Sequence, residues 1–114
     1  MSPLLAAALD EACVLADRGW TAPSDATIAE AQRLLDLVSP AWRAPMVRVE
    51  PHGAISLEWE AGEYGWLSLS VEGIGTLEHS AVIEGDDYAQ VEDIGDELPD
   101  WAGTLLHRLL SLGH

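Results

Sequence analysis

The hydrophobic period of this chain changes at Met46, and that change limits the folds open to it more than any other feature. Residues 54–60 turn Ile55, Leu57 and Trp59 one way and Ser56, Glu58 and Glu60 the other. Residues 66–72 repeat the alternation, with Leu67, Leu69 and Val71 against Trp66, Ser68, Ser70 and Glu72. Thr76–Ile83 repeats it again, with Leu77, Ala81 and Ile83 against Thr76, Glu78 and Ser80. A period of two places alternate side chains on opposite faces of a strand. Three such strands, separated by residues 61–65 and by Gly73-Ile74-Gly75, predict an antiparallel meander with one packed and one wetted face. Residues 46–51, bounded by Pro45 and Pro51, read as a further strand at a sheet edge, where a missing N–H does least harm.

Helical spacing brackets these strands. Ser2-Pro3 before Leu4-Leu5-Ala6-Ala7-Ala8-Leu9 supplies a cap and a proline at the first turn, and the helix is expected to stop at Gly19. Leu5, Leu9 (or Ala8), Ala12 and Leu15 form its stripe. A second helix follows Pro23-Ser24-Asp25, with Ile28, Ala31, Leu34, Leu35 and Val38 recurring at helical spacing up to Pro40. Glu30 and Arg33 read as a weak outward pair on it. A third follows Pro99, with Leu98, Trp101, Leu105, Leu109 and Leu112 on one face and Gly113 at its end. Residues 84–97, acidic and without a sustained period, read as a loop. The expected order is α-α-β-β-β-β-α: one α+β domain over residues 1–114, its four-stranded antiparallel meander packed by helices on one face.

Charge is lopsided rather than abundant. Twenty acids face five basic residues, all arginine, for a net charge of −15. Lysine, asparagine and phenylalanine are absent; all three have AT-rich codons, so a GC-rich genome accounts for part of the imbalance. Whatever its origin, a field of this sign repels nucleic acid phosphates and anionic membranes. No apolar run approaches the ~20 residues that span a bilayer, and the first residues, with Asp10 and Glu11, lack the basic region of a secretory signal. The single Cys13 allows no internal disulfide and reads as a small apolar residue. The expectation is a bacterial-type cytoplasmic protein.

One pattern extends along most of the chain. Trp20 and Pro23 precede an amphipathic helix, residues 45–51 form a proline-flanked strand, and Gly53-Ala54-Ile55-Ser56-Leu57-Glu58-Trp59 follows it. In this the chain resembles a widespread group of short uncharacterised bacterial proteins, over residues 19–109. It departs from them at Thr21-Ala22, where relatives look glycine-rich. The resemblance implies a shared fold and carries no activity to any residue.

Catalytic signatures are lacking. His52, His79, His107 and His114 fall in no metal-ligand spacing, and no serine sits in a Gly-x-Ser-x-Gly elbow. His79 shares the packed parity of Leu77 and Ala81, which suits a core or sheet-end residue better than a catalyst. Gly73-Ile74-Gly75 opens no helix and is a hairpin turn rather than a phosphate loop. The acids of 84–97 suit calcium or magnesium in type, yet match no EF-hand spacing; no cofactor or metal ligand is assigned. The favoured reading is a protein-interaction module, of inhibitor, immunity or mimic type, for a basic partner. Its surface would comprise Glu58, Glu60, Trp66, Glu72, Glu78, Asp86, Asp87 and Tyr88, an aromatic anchor in an acidic field. The alternative is a small enzyme or divalent-metal-binding protein whose site the sequence hides. A homodimer through an unprotected edge at Thr76–Ile83 is a further possibility. Trp59, Trp101 and Trp20 read as structural, and Trp42 as either presented by its loop or tucked under the sheet.

Overall fold

The computed structural model describes residues 1–16, 18–38, 42–95 and 97–112, without the side chains of Ala16 and Trp101. The expected stops at Pro40 and Gly113, the face taken by Trp101, the acid Asp96 and His114 lie outside the described residues. Three helices, α1 (Pro3–Ala16), α2 (Asp25–Leu37) and α3 (Asp100–Leu112), accompany five strands. These are β1 (Met46–Val49), β2 (Ile55–Glu60), β3 (Gly65–Val71), β4 (Thr76–Ile83) and β5 (Asp86–Asp93), in the sheet order β1-β2-β3-β4-β5 with every pair antiparallel.

The α+β class, the meander and the covering of one face agree with the sequence reading. The strand count does not. The acidic segment expected to be a loop forms β5, because Glu84 and Gly85, both at positive φ, make a two-residue turn that folds Asp86 back onto Ile83. Backbone pairing with β4 then overrides the poor strand propensity of Asp86, Asp87, Glu92 and Asp93. Consequently β4 is internal, and the expected dimer edge at Thr76–Ile83 is already occupied by β5. The two edges of the sheet are β1 and β5.

The core lies between the sheet and the helices. α1 packs on β1, α2 on β2 and β3, and α3 on β3 and β4. Beneath them Ile55, Leu57, Trp59, Leu67, Leu69, Val71, Leu77 and Ile83 are buried, with Leu5, Leu34, Leu106 and Leu109 from the helices. Each such side chain contributes roughly 1.5–3 kcal/mol by leaving water. Trp59 also donates its indole Nε1 hydrogen to the Arg43 carbonyl at 2.9 Å, which fixes the chain entering β1. Trp42 is half-buried against the core, so its loop tucks it in. Cys13, in contrast, is exposed on α1.

α2 does more than cover the sheet. Ser24 caps it, accepting from the Thr27 amide at 3.1 Å. Glu30, expected to pair outward with Arg33, instead accepts from the amides of Gly73 and Gly75 at 2.8 Å each and clamps the β3–β4 turn. Arg33 donates from Nε to the Gly95 carbonyl at 3.0 Å, holding the chain beyond β5. At the opposite end of the sheet, Arg108 of α3 donates to the Tyr88 hydroxyl at 3.2 Å and to Glu84 Oε1 at 3.0 Å. Those bonds, to Glu84 and then to Tyr88, raise the guanidinium pKa above its ordinary value.

One glycine is required by close approach. Gly65, at φ 134°, lies so near β4 that a Cβ would overlap the Val82 carbonyl oxygen, whereas Gly62, at φ 58°, has open space at that position. We expect Gly65→Ala to cost roughly 3 kcal/mol, since strain and clash add. Gly62→Ala should cost only about 1 kcal/mol. Urea unfolding of the two variants tests the register of β3 on β4 directly.

Candidate protein-interaction surface

Parity decides which side chains the sheet displays. Because the packed face takes Ile55, Leu57 and Trp59 of β2, the opposite face takes Ser56, Glu58 and Glu60, and the same rule runs through the neighbouring strands. Three rows cross it. One reads Glu60, Trp66, Val82, Asp87; the next Met46, Glu58, Ser68, Ser80, Ala89; the third Arg48, Ser56, Ser70, Glu78, Val91. The helices meet the sheet on the other side, through Leu5, Leu34, Leu106 and Leu109.

The middle of this face is small and polar. Ser56 and Ser70 approach to 3.2 Å between hydroxyl oxygens, and Ser56 lies 3.3 Å from Glu50 Oε1. Acids and apolar side chains ring the serines. Trp66 is 41% exposed and directly opposite Glu60. Arg48 places Nη2 3.7 Å from Glu58 Oε2, a long contact between an exposed guanidinium and a half-buried carboxylate that adds little stability. Arg48, Glu58, Glu60 and Trp66 together line a shallow groove of about 240 Å³. Its walls offer an aromatic plane and two carboxylates, one of them engaged by Arg48.

The expected surface residues divide unevenly. Glu58, Glu60, Trp66, Glu78 and Asp87 occupy the open face, and Glu72 continues it one residue beyond β3, with Oε1 3.3 Å from His52 Nε2. Asp86 and Tyr88 do not belong with them. They project from the packed side of β5, where Tyr88 is half-buried against the core and bonded to Arg108. Sequence reading missed Arg48, Met46 and Val91 as members of the face. The parity of residues 46–51 carried the signal for the first two, and the unrecognised β5 concealed the third.

The remaining chemistry is dispersed. Among the described residues no group of three or more His, Cys, Asp or Glu is placed to hold a metal ion, and the acids of β5 alternate between the two sides of the sheet. No described helix is long and apolar enough to cross a membrane. Trp20 is half-buried beside β1, in a depression shared with Ala8, Ala12 and Leu15 of α1. In comparisons with protein-family models, curated proteins and solved structures, nothing matches the chain.

His79 is the one deeply buried ionisable side chain of the described sheet, 1% exposed on the packed face of β4. Burial lowers its pKa from the ordinary 6.5, and Glu92, with Oε2 3.8 Å from Nε2, offsets part of that effect. A histidine with a depressed folded pKa is held neutral, so the unfolded chain takes up the proton first as pH falls. The stability associated with this site is complete above about pH 6.5 and is lost as pH falls toward the folded pKa. Thermal unfolding at constant ionic strength should show Tm falling between neutral pH and about pH 5, and falling less in His79→Leu.

Proposed function

We propose that this protein is an interaction module that docks a basic protein partner on the open face of its sheet, in the manner of an inhibitor, immunity factor or mimic. One observation carries the reading: Trp66, large and 41% exposed, stands on an uncovered sheet face beside Glu58 and Glu60. A tryptophan 41% exposed on a rigid strand leaves roughly 2 kcal/mol of burial for a partner to recover. The two parts of the surface then have separate tasks. The net charge of −15 steers a cationic partner and speeds its encounter, an effect that weakens with salt. The indole supplies desolvated contact area, and the carboxylate of Glu60 meets a guanidinium or ammonium group laid on its plane.

The resemblance of residues 19–109 to short uncharacterised bacterial proteins, and a cytoplasmic place for the chain, belong with this proposal. They rest on Trp20, Pro23, the Gly53–Trp59 strand and the composition of the chain.

Capture of partners from a bacterial lysate at low and moderate salt, read by mass spectrometry, tests the reading. We expect one stoichiometric basic protein, lost with Trp66→Ala and with the double reversal Glu58→Arg, Glu60→Arg. Trp66→Ala should keep the circular dichroism spectrum and cost no more than about 2 kcal/mol, less than truncation of a core tryptophan, because 41% of the residue is exposed. A salt-sensitive smear of unrelated basic proteins, unaffected by either variant, would count against the proposal.

A further inference from the structure

Among the described residues no strand pairs with the outer edge of β5, and the direction of its backbone groups follows from the pairing with β4. The turn at Glu84-Gly85 is closed by Ile83 and Asp86 as a hydrogen-bonded pair, so Asp86, Tyr88, Gln90 and Glu92 direct their amides and carbonyls toward β4. At the far end the Ile94 amide donates to the Gly75 carbonyl at 3.0 Å, in keeping with the same parity. The amides and carbonyls of Asp87, Ala89, Val91 and Asp93 therefore point away from the sheet, and all four residues are exposed. Alongside them, between β5 and α3, lies a groove of about 510 Å³ lined by Asp87, Tyr88, Ala89, Gln90, Thr104 and Leu105.

Charge selects what such an edge accepts. A second copy of β5 paired across a two-fold axis between Ala89 and Val91 would set Asp87 of each copy against Asp93 of the other. In that register like charges directly opposite oppose pairing, and in the neighbouring registers two edges that both carry acids still repel. A cationic strand meets the reverse condition. Its basic side chains, at alternate positions, would lie over the open face beside Asp87 and Asp93. The intervening side chains would enter the groove against Leu105 and the Tyr88 ring.

We propose that β5 accepts a sixth strand from outside: an extended segment of a basic partner, with alternating cationic and apolar residues, bound through the main chain of Asp87, Ala89 and Val91. The inference takes from the proposed function only the basic character of the partner, and it uses a different surface from Trp66.

The test titrates a labelled peptide of about six residues, alternating arginine and valine, into the full chain and reads fluorescence anisotropy. Ala89→Pro removes an N–H that faces outward, a position where an edge strand tolerates proline. It should keep the circular dichroism spectrum and weaken binding by at least about tenfold, the equivalent of one lost main-chain bond. The reversal Asp87→Arg, Asp93→Arg, which leaves the main chain unchanged, should exchange preference toward a peptide alternating glutamate and valine. Trp66→Ala should leave this binding unaltered, so failure here and failure of docking on the open face are separate results. The inference is overturned if the arginine peptide does not bind, if folded Ala89→Pro binds it as wild type does, or if charge reversal leaves the preference unchanged.

Discussion

Leu57, Leu69 and their neighbours on the helix side of the sheet cannot move to the other side without bringing Glu58, Ser68 and Ser70 into the core. A slip of one residue in any strand would exchange the two sets completely. The burial of one face therefore determines the register of the sheet, and the register determines what the other face displays. Trp66, Glu60 and Glu58 line the open face because Leu67, Trp59 and Leu57 line the packed one. The outward surface is a consequence of the inward one, and neither can drift independently.

The acidity is organised by the same constraint. A charge of −15 on a flexible chain would be a diffuse field, but here several of the acids sit at fixed positions on strands. Glu58, Glu60 and Glu78 edge a serine-lined middle, and Asp87 and Asp93 bracket the free backbone groups of β5. The few cations are largely used within the fold: Arg33 holds Gly95, Arg108 holds Glu84 and Tyr88, and Arg48 lies beside Glu58. The carboxylates that face outward gain little internal neutralisation, and a rigid pattern of negative charge is left for whatever docks there.

Much of this architecture was legible in the sequence, and the failures have specific causes. β2, β3 and β4 were evident because apolar residues alternate under a roof of helices. β5 was not, because α3 covers β3 and β4 and leaves β5 almost roofless. Its packed positions are Asp86, Tyr88, Gln90 and Glu92, only one of them with a large apolar body, so no period marked it. The available signal was Glu84-Gly85 directly after a strand, a turn that reverses the chain within two residues. Glu30 failed for another reason. Its partners, the amides of Gly73 and Gly75, lie more than forty positions away, and local spacing pointed to Arg33 instead. The open face around Trp66 followed from parity alone, whereas Asp86 and Tyr88 were assigned to it only because the strand containing them was not recognised.

The acidic segment 86–93 is an ordered strand with one side bonded to β4 and the other facing outward. Residue-resolved amide hydrogen exchange on the isolated protein tests this most directly. Protection should alternate along the segment, with the amides of Tyr88, Gln90 and Glu92 protected and those of Asp87, Ala89 and Val91 exchanging fast. Uniformly fast exchange throughout would contradict it, returning the segment to a solvated loop and removing the edge.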